Sequence, residues 1–211
     1  MSTAGNMIKN ILGRWNAFEK HDIFADKRVF DGKLPSLMTQ WAKELIEADK
    51  IKSDVTKQSD QVDKLYRDIE VAKDVYGDFA RQGSFALQQA FINFSAPLSN
   101  REKAARDNNR ALWVKLKKTH PEFDKMKKKP KMDFGPTLEA YAKAWGKQKE
   151  TEQDFKVALS EENITYQKLV TTSANYRRGV QEKKMPGKVL DYFNKIIEDI
   201  GEEHEQVRKN S

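Results

Sequence analysis

Apolar residues recur along this chain at intervals of three and four and rarely in runs. Between residues 6 and 20 they fall at Ile8, Ile11, Leu12, Trp15 and Phe18, which is one face of a helix. Lys9, Arg14, Asn16 and Lys20 lie elsewhere around it. Gly13 costs such a helix roughly 1 kcal/mol against Ala, and a helix this short is marginal alone. Residues 21–35 are mixed and end in Asp31-Gly32 and Pro35, the composition of a connection.

The pattern from Ser36 to about Phe94 predicts one long helix or two in line. Its stripe starts at Leu37, Trp41 and Leu45 and thins between Lys50 and Asp60. It resumes at Val62, Leu65, Tyr66, Ile69, Ala72, Tyr76 and Phe79, and continues after Gly83 as Leu87, Phe91, Phe94 and Leu98. Pro97 disfavours helical geometry at Ala96 and sets a bend there. Residues 98–120 predict a second helical stretch, weakened at His120-Pro121. Lys125 to Pro136 holds Pro130, Gly135 and Pro136 and reads as a loop. A third long helix is expected from near Thr137, with Leu138, Tyr141, Trp145, Phe155, Leu159, Ile164 and Leu169 as its stripe. Pro186-Gly187 should kink or break it. The closing stretch carries Val189, Phe193, Ile196, Ile200 and Val207, again at helical spacing. Helices of ~50–70 residues would be ~75–105 Å long, so they must fold back or lie side by side. Stripes this thin favour a coiled-coil-like rod.

Composition narrows the class. The chain has 211 residues, no Cys, 10 Gly and 6 Pro. Without Cys there is no disulfide scaffold and no thiolate metal site, and scarce Gly and Pro argue against a loop-rich all-β fold. The fold class is read as all-α. Residues 1–5 lack the basic region of a secretory leader, so none is expected. No run of ~18 apolar residues predicts a membrane span.

The charge is unevenly placed. Lys plus Arg is 39 and Asp plus Glu is 32, a net of +7. From Pro97 to Asp133 there are twelve bases and five acids, 12 − 5 = +7, the whole excess. The bases are Arg101, Lys103, Arg106, Arg110, Lys115, Lys117, Lys118, Lys125, Lys127, Lys128, Lys129 and Lys131. Two readings stay open: a solvated loop between charged helices, or a patch that concentrates polyanions in a salt-sensitive way. Lysine is a point charge suited to diffuse attraction, whereas Arg is the better planar reader of bases and phosphates. No zinc-finger, RNP-type or helix-turn-helix pattern is present, which tilts the choice of polyanion toward a membrane. The face of Ile8, Ile11, Leu12, Trp15 and Phe18 fits an interfacial helix inserted ~5–10 Å into headgroups; it fits the first core helix of a bundle as well.

Candidate chemistry is sparse. His21, His120 and His204 have no metal-ligand spacing, and no nucleophile elbow or phosphate-binding glycine loop occurs. His204 stands in Glu202-Glu203-His204-Glu205 and is read as solvent-exposed. No catalytic residue, metal or cofactor is expected, and the chain is not read as an enzyme.

Taken together, several segments resemble the BAR domain, in the N-BAR arrangement of amphiphysin and endophilin. Residues 6–18 are similar to its insertion helix, and Lys64 to Ile69 with Tyr76 and Phe79 to the end of its first long helix. Pro97-Leu98 and the basic stretch after it are similar to the second helix, and Lys125 to Lys131 lies where the family has a basic tip. Ala158 to Leu169, with Phe193, Ile196, Ile200, Glu203 and His204, resembles parts of the third. The resemblance implies an elongated three-helix antiparallel coiled coil that forms a crescent-shaped homodimer, with an amphipathic helix at 1–20 and the helical domain at 21–211. It implies a cytoplasmic, peripheral membrane protein of endocytosis or membrane remodelling that senses or induces curvature. The basic-tip role falls on Lys125, Lys127, Lys128, Lys129 and Lys131, with Lys115, Lys117 and Lys118 leading to it; insertion falls on Ile8, Ile11, Leu12, Trp15 and Phe18. The expected partners are anionic phospholipid, a second copy and other cytoskeletal or trafficking proteins, not nucleic acid. The competing expectation is a coiled-coil scaffold with no direct lipid role.

Overall fold

A computed structural model describes residues 9, 13, 33–126, 134–182 and 187–209. Nearly all of these are helical, with no strand among them, and the all-α expectation holds. The α-helices are α1 (Lys33–Arg81), α2 (Phe85–Ser95), α3 (Arg101–Arg106), α4 (Asn109–Thr119), α5 (Phe134–Glu182) and α6 (Gly187–Arg208). Short 3-10 turns occupy Ala96–Ser99 and Pro121–Lys125. The insertion-helix residues Ile8, Ile11, Leu12, Trp15 and Phe18 lie outside the described residues, as do Lys127, Lys128, Lys129 and Lys131.

The chain divides into two compact units, one made of Met1–Ser53 with Gln153–Ser211 and one of Asp54–Glu152. We call them terminal and central, by their place in the sequence.

The central unit is built on an aromatic core. Val62, Ile69, Ala72, Tyr76 and Ala80 of α1 are buried with Leu87, Phe91 and Phe94 of α2, Trp113 and Leu116 of α4, Phe123, and Phe134, Leu138 and Tyr141 of α5. Trp113 lies 4.7 Å from Tyr76, 5.0 Å from Phe134, 5.3 Å from Phe94 and 5.4 Å from Phe123, ring centre to ring centre. Tilted and edge-on pairs at such distances contribute about 0.5–1.5 kcal/mol each beyond the area they bury.

Local chemistry sets the element ends. Gln82 and Gly83 N–H groups close the end of α1 on the carbonyls of Phe79 and Ala80. Ser84 then caps α2, its hydroxyl accepting from Leu87 N–H at 3.2 Å. The stretch at 98–120, read as one helical segment, is divided, and asparagines divide it. Asn100 caps α3 and Asn108 caps α4 through their side chains. Asn109 is buried and turns its amide back to donate to the carbonyls of Lys103 and Ala104, both at 3.0 Å. Side-chain bonds of this kind compete with a continuous helical ladder. The second of these pieces ends before Pro121, as the sequence suggests. The third long helix starts at Phe134, earlier than Thr137, and takes Pro136 into its first turn. The missing N–H of proline is harmless there, since first-turn N–H groups have no helical partner.

In the terminal unit α1 buries Leu34, Met38, Trp41, Leu45 and Ala48, at intervals of four, three, four and three. From α5 the unit buries Phe155, Glu162, Leu169 and Tyr176, each seven residues after the last, with Thr165, Ser173 and Val180. Ile200, Glu203 and His204 are buried on α6.

Candidate functional site

The basic stretch that stands out in the sequence falls in the central unit. Helix α4 has two faces: Asn109, Trp113 and Leu116 are buried, at intervals of four and three, while Arg110, Lys115 and Lys118 are exposed. Anchoring by Trp113 therefore directs the lysines to water.

Pairing separates the bases by type. Arg101 meets Asp63 at 2.6 Å, Arg106 meets Glu102 at 2.9 Å, and Arg110 pairs with Glu139. Lys117 is 3.8 Å from Asp124, a contact that ties the last turn of α4 to the 3-10 turn after it. Lys103, Lys115, Lys118 and Lys125 are exposed and form no ion pair among the described residues. The arginines thus serve local structure, and the uncompensated charge resides on lysines. Of the residues predicted for the basic tip, the structure brings Lys117, Lys118 and Lys125 to the junction of α4 and the 3-10 turn, with Lys115 one turn back.

The tyrosines of this unit hold α1 and α5 against the chain around residue 100. Tyr66 donates to the carbonyls of Leu98 and Ser99, both at 3.2 Å, and Tyr141 donates to the carbonyl of Arg101 at 3.1 Å. Burial pushes the Tyr141 hydroxyl up to about 12, against the opposing pull of Arg101. A cleft of about 390 Å³ lies between α1 and α2 over Gly77, Ala80 and Phe91. Its two cations, Lys73 and Arg81, are already paired with Glu70 and Asp78.

The terminal unit corrects one reading. His204 is not solvent-exposed: it is 8% exposed, and its Nδ1 lies 2.7 Å from Glu162 Oε1. Glu162 is 1% exposed and accepts on the same oxygen from Trp41 Nε1 at 2.6 Å. The ring of Tyr166 stacks on His204 at 3.7 Å with 5° between planes. Glu162 Oε2 is buried with no hydrogen-bond partner among the described residues. Beside this group Glu203 is also buried, and burial, reinforced by Asp49 and Glu202, raises its carboxyl above the ordinary range.

A signal for this network was available. Glu162 is three heptads beyond Tyr141, 141 + 21 = 162, so the α5 register already makes it a core position. On α6 the gap of seven between Ile200 and Val207 is where Glu203 and His204 fall, at steps of three and four from Ile200. Polar side chains at apolar positions are read as surface unless register is given priority over residue type.

Among the described residues no group of three His, Asp or Glu side chains could hold a metal ion, and no helix is long and apolar enough to cross a membrane. No protein-family model matches the chain, and neither a curated protein nor a solved structure matches it.

Proposed function

We propose that this chain is a BAR-like membrane-binding protein that acts without catalysis or cofactor. In this reading three-helix coiled coils pair into a crescent homodimer, lysines of the central unit rest on anionic phospholipid, and the helix at 1–20 inserts. The bound dimer senses or imposes curvature as a cytoplasmic, peripheral membrane protein.

The observation that carries the proposal is the set of exposed, unpaired lysines Lys115, Lys118 and Lys125 on a helical scaffold. Near an anionic leaflet each is worth roughly 1 kcal/mol, and the attraction is screened by salt. Dimerisation draws support from α5 of the terminal unit. Val157 and Ile164 lie one heptad apart there and are 49% and 52% exposed. A heptad-spaced aliphatic stripe left in water is the kind of surface a second helix covers.

The test is co-sedimentation with vesicles of phosphatidylcholine and phosphatidylserine. Binding is expected at low salt and declines as salt rises. Replacing Lys115, Lys118 and Lys125 together by Glu should weaken it on the order of a hundredfold, since about three interactions of roughly 1 kcal/mol are lost. Unchanged binding removes the lysines from the mechanism. A chain that ignores such vesicles and captures a protein partner is a scaffold instead. Light scattering decides the dimer, because a chain of 24.4 kDa that stays at that mass is a monomer.

A further inference from the structure

One aromatic side chain of the central unit has no place in its core. Phe79, Phe91, Phe94 and Phe123 all join ring contacts there. Phe85 is 80% exposed and joins none among the described residues. It is the first residue of α2, held outward immediately after the Ser84 cap, and residues 81–86 around it are all exposed. Ser84 and Leu87 already fix the start of α2 by capping and burial, so Phe85 is not needed for the fold.

Its neighbourhood is mixed in charge: Lys117, Lys118 and Lys125 stand beside Glu122 and Asp124, and Asp124 is taken up by Lys117. The 3-10 turn that carries Lys125 is packed through Phe123 against Phe79 at 5.8 Å and Phe91 at 5.9 Å. Phe91 stands six residues after Phe85 on the same helix, about 9 Å along it, and Phe79 six residues before it, across the turn at 82–84. The Lys117–Asp124 pair brings the end of α4, with Lys118, to the same turn. The α1–α2 apex and these lysines therefore belong to one end of the unit.

We propose that Phe85 is an anchor that enters the headgroup and upper acyl region of an anionic bilayer while Lys118 and Lys125 engage the lipid charge. This rests on the membrane reading above and adds a salt-resistant component to it. An exposed aromatic ring gains by leaving water for the interface, and that gain is not screened. The flanking cations favour a surface that is negative as well as apolar, which a bilayer with phosphatidylserine offers.

The chain has no Cys, so Phe85→Cys in this 211-residue chain can carry a single environment-sensitive dye. With vesicles containing phosphatidylserine the dye should shift to the blue and be quenched by lipids brominated on their acyl chains. Phe85→Ser, at an exposed site that does not threaten folding, should lower affinity at high salt about tenfold and change low-salt binding much less. If the protein sediments with vesicles but the dye stays in water and Phe85→Ser binds normally at high salt, the anchor is refuted and the lysine mechanism stands. If neither sedimentation nor a dye shift occurs, both fall. A blue shift that grows with protein concentration and needs no lipid makes the site a contact between copies, and overturns the anchor.

Discussion

In the central unit Trp113 is enclosed by Tyr76, Phe94, Phe123 and Phe134. In the terminal unit the corresponding enclosed group is the carboxylate of Glu162, held by Trp41 and His204. Both sit at helix positions that repeat in threes, fours and sevens. The first core is non-directional: rings can adjust against one another and still exclude water. The second is directional, because a buried carboxylate is tolerated only while its donors stay at hydrogen-bond distance. The aromatic core should therefore supply stability, and the polar one should dictate which helices meet and in what register.

Cutting into each core tests that contrast. Trp113→Ala should have the largest effect, about 3–5 kcal/mol in urea unfolding followed by circular dichroism. A cost below about 1 kcal/mol would mean that the rings are loosely packed. His204→Ala comes next, about 1–3 kcal/mol, the price of leaving a buried acceptor short of a donor. His204→Phe keeps a ring for Tyr166 to stack on but not the hydrogen bond. If His204→Phe is as stable as the parent, packing rather than hydrogen bonding holds the terminal unit, and the contrast fails.

The smallest effect is set by pH. The carboxyl of Glu203 is raised by burial and by Asp49 and Glu202, so its protonated form is favoured in the folded state. The stability it contributes is present below the ordinary carboxyl value of 4.5 and is lost as pH rises through the higher folded value. Glu203→Gln should thus be more stable than the parent at neutral pH, with the advantage vanishing near pH 4. An advantage that is the same at both values would place the effect elsewhere.

Much of the architecture was legible. The stripes of Val62, Ile69 and Tyr76, of Leu138 and Tyr141, and of Phe91 and Phe94 are apolar at helical spacing, and all are buried. The stripe reads as continuing through Gly83, where the structure ends one helix and starts another, whereas the break at Pro121 follows from residue chemistry. The division of 98–120 did not, because Asn108 and Asn109 look alike in sequence. Only the fold shows that one caps forward and the other reaches back. The basic patch was legible as a count but not as a surface. Arg101, Arg106 and Arg110 are spent on Asp63, Glu102 and Glu139, and two of these partners are distant in sequence.

What the sequence determined by itself is the class of structure: periodic apolar positions, few Gly and Pro and no Cys leave little but long helices. Hydrophobic periodicity is a local property, so it survives without knowledge of neighbours. Only the tertiary structure decided that His204 and Glu162 meet inside the protein, that Lys103, Lys115, Lys118 and Lys125 rather than Arg101, Arg106 and Arg110 keep free charge in the basic stretch, and that Phe85 is left in water. Each depends on what a side chain faces across a helix interface, and burial of a polar or apolar group is determined by its partners, not by its own chemistry.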